Sequence, residues 1–442
     1  MDPHLLPLAE RQAPRFTSYP SAPHFGPEVD ADIYHSWLRA LPADADLSVY
    51  LHVPYCRELC WYCGCNTWAW RRDEASDFVT TLLAEIDLAA HAVGGHRVSE
   101  LHWGGGTPNI LSADEFKRIV RHLDFWFDLD RGLSHSIEID PRYLTVELAE
   151  TYAASGVTRA SLGVQDLNLH VQQAIGRVQP FELVRDAVAN LRRAGIQQLS
   201  FDLMYGLPMQ STEDLLNSIK LAAAIAPERF ALFGYAHVPW FKRRQRLINE
   251  ATLPDARTRF EQAEAARETL MQLGYIAVGL DHFAKPGDAL AVAARNHLLR
   301  RNFQGYVAKI PDAILGFGPS AISTLPQGFA QNLNGVSAWA RAVEAEHHPI
   351  ARGHTQSKDD RRRAALIEAI MCNFEADLSA FGGRAEFARE LGALAPLVAT
   401  GVVVIEGERL SLPQSMQPFC RLVAQAFDAY GGDDAARHSK AI

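Results

Sequence analysis

The chain has 442 residues, a formal net charge of −9, 48% hydrophobic and 21% charged residues. That balance belongs to a folded soluble protein, either one large domain with additions or two or three domains. The acidic charge argues against general nucleic-acid binding, no apolar run reaches the ~18 residues of a membrane span, and the opening MDPHLLPLAERQAPRF lacks the features of a signal peptide.

Residues 1–45 are proline-rich, include RFTSYPSAPHFGP and show no clear period, so an N-terminal surface arm is expected. Beyond them, short β-rich runs alternate with amphipathic helical stretches. Strands are predicted at 48–53, 99–103, 136–140, 158–164, 198–203 and 230–235. Helices are predicted between them at 74–93, 113–126, 146–155, 181–194 and 212–224. Strand and helix in repeated alternation define an α/β class. The expected form is a partial or complete parallel (β/α) barrel over 46–354. After about residue 355 the pattern changes to helices at 359–373 and 378–391, a hairpin VVVIEGERLSL turning at Glu406 and Gly407, and a helix near 416–429. This suggests a small helical, winged-helix-like C-terminal domain over 355–442.

Six cysteines are present, and Cys56, Cys60, Cys63 and Cys65 fall within ten residues. Such clustering points to metal in a reducing compartment, so a cytoplasmic protein is expected. Cys372 and Cys420 stand apart and read as buried small hydrophobes. The cluster follows the first strand as C-x3-C-x2-C-x-C. Thiolates are the usual ligands of iron–sulfur clusters, and three on one loop suit three corners of a 4Fe–4S cubane. The fourth iron would then be open to a small molecule. A zinc site or a four-cysteine electron-transfer cluster are rival readings, although zinc more often draws on two separated cysteine pairs. The second strand ends in WGGGTP, whose glycines let the backbone approach a ligand and offer it N–H groups. Glu138, Gln165, Asp202 and the backbone near Ala236 mark later strand ends, where barrels of this kind place their active sites.

The segments RFTSYPSA, YLHVPYCRELCWYCGCN, LHWGGGTP, SIEIDPR, LGVQDLN, FDLMYGLP, YAHVP, GLDHFAKP, RNFQGY, GFGPSAIS and MCNF span nearly the whole chain. On them it resembles the oxygen-independent coproporphyrinogen III oxidase (dehydrogenase) family of radical S-adenosylmethionine enzymes. Cys65 and the RFTSYP arm are features of that family rather than of the superfamily. The resemblance implies a 4Fe–4S cluster on Cys56, Cys60 and Cys63, with S-adenosylmethionine contacted by Tyr50, Gly105, Glu138 and Ile322. It implies a second S-adenosylmethionine at Tyr62, Gly106, Thr107, Gln165, Arg177, Asp202 and Ala236, with Phe303 and Gln304 beside the shared cavity. Cys65 and Tyr62 are the residues expected to act in catalysis.

The implied reaction is the oxidative decarboxylation of two propionates, coproporphyrinogen III becoming protoporphyrinogen IX. A porphyrinogen with four carboxylates needs cationic partners, and Arg15, Arg301 and Lys309 are the first expectations. An electron donor such as flavodoxin or ferredoxin and a monomeric state are also expected. A paralogous methyltransferase, a heme-opening enzyme or a heme-binding chaperone on the same scaffold is the alternative. The chain departs from the family's pattern at Gly176, where asparagine is common, at Leu167 in QDLN, at Tyr62, where phenylalanine is frequent, and over VAKIPDAILGFG after RNFQGY.

Overall fold

The computed structural model describes residues 5–71, 75–431 and 440. The first four residues of the expected arm, the start of the helix expected at 74 and most of the stretch after 431 lie outside the described residues. Twelve strands form one mixed sheet. They are β1 (Leu47–Val53), β2 (Arg97–Gly105), β3 (Asp128–Ile139), β4 (Arg159–Gln165), β5 (Gln198–Tyr205), β6 (Arg229–Gly234), β7 (Ile276–Val278), β8 (His282–Ala284), β9 (Ala313–Phe317), β10 (Ile322–Leu325), β11 (Gly328–Asn332) and β12 (Ile350–Thr355). Their order is β12-β11-β10-β9-β1-β2-β3-β4-β5-β6-β8-β7. The run from β9 through β6 is parallel, and the flanking strands pair antiparallel. Strands β12 and β7 do not pair with each other, so the barrel is partial.

The helices are α1 (Ala31–Arg39), α2 (Ala75–Val93), α3 (Ala113–Trp126), α4 (Val146–Ala154), α5 (Phe181–Ala194), α6 (Thr212–Ala224), α7 (Ala256–Gln272) and α8 (Lys358–Asn373). Capping boxes start three of them, Ser112 with Glu115, Ser211 with Asp214 and Ser357 with Asp360. Along β4, Ala160, Leu162 and Val164 are buried in the core, while Ser161, Gly163 and Gln165 alternate to the other face. That alternation separates the structural face of the sheet from its chemical one. Strand β9 was not among the expected strands. Its five residues AILGF are all buried, and so short an apolar run has no diagnostic period.

The C-terminal region departs from expectation in two helices. The stretch 378–391 is not one helix: the turn Leu378–Phe381 stops at Gly382 and Gly383, whose φ angles are 105° and 84°, and a helix resumes only over Ala388–Ala393. The last predicted helix is a 3-10 segment, Gln414–Phe419, that contains Pro418 and passes into the short helix Cys420–Gln425. The expected hairpin forms, with Val404–Glu406 against Arg409–Ser411, and Glu375–Asp377 adds a third strand. Cys372 and Cys420 are buried, as expected. Leu5, Ala9, Ala13, Phe16 and Tyr19 share a core with Leu366, Ile370, Phe387 and Phe419. Helix α1 packs instead on the barrel core through Tyr34, Trp37 and Leu38.

One buried carboxylate makes the barrel's stability depend on pH. Glu85 of α2 is 3% exposed and accepts hydrogen bonds from Gly318 N at 2.7 Å, Asn332 Nδ2 at 2.6 Å and Trp339 Nε1 at 2.9 Å. Burial outweighs these donors and pushes the carboxyl up from 4.5 to about 7. The folded value lies above the unfolded one, so its contribution is fully present below about pH 4.5 and lost as pH rises through 7. Over that window the stability of wild type relative to Glu85→Gln should fall by roughly 3 kcal/mol. Melting of both proteins between pH 4.5 and 8 checks this.

Candidate active site

The cysteine loop is fixed at its base and its sides. Beyond β1, Tyr55 and Cys56 pair parallel with Trp68 and Ala69, which pinches the loop closed. Arg244 donates to Thr67 O at 2.9 Å, Gln245 to Tyr62 O at 2.8 Å, and the Trp61 N–H to Ile175 O at 3.0 Å. Held this way, Cys56, Cys60, Cys63 and Cys65 all line one cavity of about 930 Å³. Each of the first three sulfurs receives a donor. Thr107 Oγ1 lies 3.3 Å from Cys56 Sγ, Arg177 Nη1 lies 3.5 Å from Cys60 Sγ, and Cys65 N lies 3.4 Å from Cys63 Sγ. Burial pushes the Cys56 thiol up to about 11. The hydrogen bond from Cys65 brings the Cys63 thiol down to about 6 against burial, with Arg244 and Lys242 adding to the effect.

These thiols suit a 4Fe–4S cluster: soft donors, three on one loop, with donors and positive charge aimed at sulfur. Among the described residues, no three His, Cys, Asp or Glu side chains close on a point as they would around a single metal ion. A cubane sets its thiolates at separate corners and needs no such closure. The donor set fits the group.

Gly105 and Gly106 pack the second loop against this base. Gly105 has φ of +111°, and a Cβ on Gly106 would lie 2.6 Å from Tyr55 O. Glu138 of β3 accepts from Gly105 N at 3.3 Å and lies 3.4 Å from His102 Nε2. Asp202 accepts from Ser161 Oγ at 3.1 Å. Burial, followed by the charge of Glu138, raises the Asp202 carboxyl to about 7. Arg177, 7% exposed, donates to Asp140 Oδ2 at 3.0 Å, Gly163 O at 2.7 Å and Gln179 Oε1 at 3.1 Å.

Thirteen of the expected residues meet in this cavity: the four cysteines with Tyr62, Gly105, Gly106, Thr107, Glu138, Gln165, Arg177, Asp202 and Ala236. Tyr50, Phe303, Gln304 and Ile322 line a second cavity of about 210 Å³. Glu138 faces both. In the smaller cavity Tyr50 Oη lies 3.0 Å from His52 Nδ1, and Gln304 Nε2 is buried with no partner among the described residues.

Residues 50–222 match the family model of the Radical SAM superfamily. The oxygen-independent coproporphyrinogen III oxidase of Bradyrhizobium diazoefficiens is 45% identical over 98% of both chains. That of Paracoccus denitrificans is 41% identical over 99% of this chain and 98% of its own. This chain belongs to the oxygen-independent coproporphyrinogen III oxidase family. A solved coproporphyrinogen III oxidase from Escherichia coli, a radical SAM enzyme, superposes with a TM-score of 0.90 at 34% identity, covering 94% of this chain and 98% of that one. Membership makes the chain a radical S-adenosylmethionine oxidoreductase, with a 4Fe–4S cluster and S-adenosylmethionine as cofactors.

Of the cations expected to meet a coproporphyrinogen, Arg15 lines the main cavity and Arg301 a pocket beside it. Lys309 lies elsewhere. It pairs with Asp46, just before β1, because the chain enters β9 parallel to β1 and so from the opposite end of the barrel. Sequence reading also missed Asp140 and Arg142. Asp140 is 7% exposed, accepts from both Arg177 and Arg142, and sets those guanidiniums beside Cys60. The motif IDPR, which starts on the last residue of β3, was the available signal. Lys242, which donates to Cys65 O at 3.2 Å, belongs to the run KRRQR after YAHVP. Gly176 has φ of +63°, and a Cβ there would meet the Trp61 indole at 2.8 Å. Glycine therefore suits this left-handed position, where the Cβ of an asparagine would require the Trp61 indole to shift.

Proposed function

We propose that this chain catalyses the anaerobic oxidative decarboxylation of coproporphyrinogen III to protoporphyrinogen IX, using one 4Fe–4S cluster and two S-adenosylmethionine molecules. The observation that carries this reading is the single cavity shared by Cys56, Cys60, Cys63, Gly106, Arg177 and Asp202 in a chain with full-length relatives of that name. When bound, the cluster and S-adenosylmethionine would supply the radical chemistry that removes hydrogen from a propionate side chain, with the carboxyl leaving as carbon dioxide and the remaining electron passing to an external acceptor.

The protein's own residues bind, orient and exclude water. Cys56, Cys60 and Cys63 hold the cluster. Tyr50, Gly105, Glu138 and Ile322 serve one S-adenosylmethionine, and the contact of Glu138 with both cavities supports that assignment. Tyr62, Gly106, Thr107, Gln165, Arg177, Asp202 and Ala236 serve the other, with Phe303 and Gln304 beside the first. A carboxyl raised to about 7, as at Asp202, suits ribose hydroxyls because it both accepts and donates near neutral pH. Cys65 and Tyr62 face the substrate. In this reading the arm 1–45, the barrel 46–354 and the region 355–442 act as one cytoplasmic monomer fed by flavodoxin or ferredoxin.

Anaerobic incubation of the reconstituted protein with coproporphyrinogen III and a reductant, followed by mass spectrometry, tests the proposal. The expected result is loss of two carbon dioxide units and four hydrogens, with 5′-deoxyadenosine at twice the product. S-adenosylhomocysteine with a heavier product would assign a methyltransferase instead. Unchanged coproporphyrinogen with tight heme binding would assign a chaperone.

A further inference from the structure

We propose that Arg15, Arg259 and Arg301 form a carboxylate site, in a side pocket of the main cavity, that holds a porphyrinogen propionate not undergoing reaction. The site rests on the substrate class proposed above and adds its position. The pocket, about 90 Å³, shares Arg15, Phe233, Gly234, Tyr235 and Ala236 with the main cavity. That is about a tenth of the main cavity, room for a carboxylate on a short chain rather than for a whole tetrapyrrole.

The pocket's lining carries more cations than acids, although Lys440 is paired with Glu10 at 3.6 Å. Five arginines line it, Arg15, Arg259, Arg267, Arg301 and Arg421, together with Lys440. The acids are Glu264 and Asp281. Asp281 lies 2.7 Å from His282 Nδ1, and its charge also reaches Arg301 and Arg15 without closing an ion pair on either. Among the described residues, Arg15, Arg259 and Arg301 have no ion pair within 4.0 Å. Arg421 is a wall of the pocket, donating to the backbone oxygens of Ala13 and Pro14.

The unused donors are specific. Arg301 gives Nη2 to Arg15 O at 3.4 Å and stacks 4.5 Å from the Tyr306 ring centre, while its Nε and Nη1 are buried with no partner among the described residues. Arg259 gives Nη1 to Tyr235 O at 2.7 Å, and its Nε is likewise unpartnered. Burial pushes the Arg259 guanidinium below its ordinary range, and the charge of Arg15 adds to that push. Buried guanidiniums normally have counter-charges, because desolvation otherwise disfavours them. A carboxylate accepting from the planar Arg301 fork would add the close, hydrogen-bonded partner that the longer-range charge of Asp281 does not provide. Coproporphyrinogen III carries four propionates and two react, so two remain for such anchoring.

The test uses the full-length, cluster-loaded protein and its Arg301→Gln and Arg259→Gln variants, with coproporphyrinogen III and its tetramethyl ester as probes. Wild type should bind the free acid at least about tenfold more tightly than the ester, and the variants should bind both about equally. KM for the acid should rise at least about tenfold with kcat changed less than about threefold, at unaltered iron content and S-adenosylmethionine affinity. If Arg301→Gln fails to retain iron, Arg259→Gln alone decides. KM and acid-over-ester preference within about twofold of wild type would overturn the site. A selective loss of S-adenosylmethionine affinity would overturn it too, giving the pocket to that cofactor's carboxylate. Wild type that neither binds nor converts coproporphyrinogen III would remove the functional reading itself, a separate outcome from active wild type with unaffected variants.

Discussion

Alanine at Cys56, Cys60 or Cys63 should abolish the cluster and reduce turnover to background. Wild type should hold about four irons per chain. Each of the three thiols has its own donor, from Thr107, Arg177 and Cys65, and all face one cavity. Loss of any one leaves two thiolates and an iron corner open to water on a cavity wall. Cys65→Ala should behave differently. Its contact with Cys63 includes the backbone N–H, which the substitution keeps. The three ligands stay oriented, so iron should remain near the wild-type content while decarboxylation is lost, because the Cys65 thiol no longer faces the cavity. Iron and sulfide analysis beside the anaerobic product assay separates the two classes. If Cys65→Ala strips iron as completely as the others, the ligand set is wrong.

Arg177→Ala should cost about 3 kcal/mol of stability and weaken binding of one S-adenosylmethionine by tens-fold. Arg177 is buried and ties three elements together: Asp140 beyond β3, Gly163 in β4 and the Cys60 sulfur. Without it, Asp140 keeps, among the described residues, only Arg142 as an ion-pair partner, which places the cost at the low end for a broken buried pair. Burial works to raise the Asp140 carboxyl, yet Arg177 and then Arg142 hold it below 3.8. Stability from a depressed carboxyl is present above its unfolded value and lost as pH falls through its folded one. The gap between wild type and Arg177→Ala should therefore narrow below about pH 3.8. Arg177→Lys restores charge beside Asp140 but not the fork that also reaches Gly163, so stability should recover more than cofactor affinity. Melting curves and equilibrium dialysis with S-adenosylmethionine check both parts. Unchanged binding stoichiometry in Arg177→Ala would remove this residue from the cofactor site.

Features carried by near neighbours were legible in the chain. Five of the six βα strands and the five helices lie within a few residues of where apolar periodicity placed them, because alternating burial and capping residues act over one element; β3 instead begins at Asp128, eight residues before its expected start at 136. The cysteine loop and WGGGTP were equally local, each compressed into one turn between a strand and a helix. Prediction failed where a local signal was weak or was broken by a single residue. AILGF is too short to carry a period, and Gly382 and Gly383 end a helix that the apolar pattern alone would continue.

By itself the sequence determined the βα alternation, the three-cysteine spacing and, through motifs spread along the chain, the family. Only the tertiary structure decided which charges face one another. Arg15 and Arg301 are 286 residues apart, yet they meet because residues 5–19 join the core of the C-terminal region beside the barrel. Lys309 and Arg301 are close in sequence yet lie in different places, because the chain between them returns to the start of β9. Charge pairing acts over a few ångströms in space, and separation along the chain carries almost no information about it until the sheet has set the strands in order.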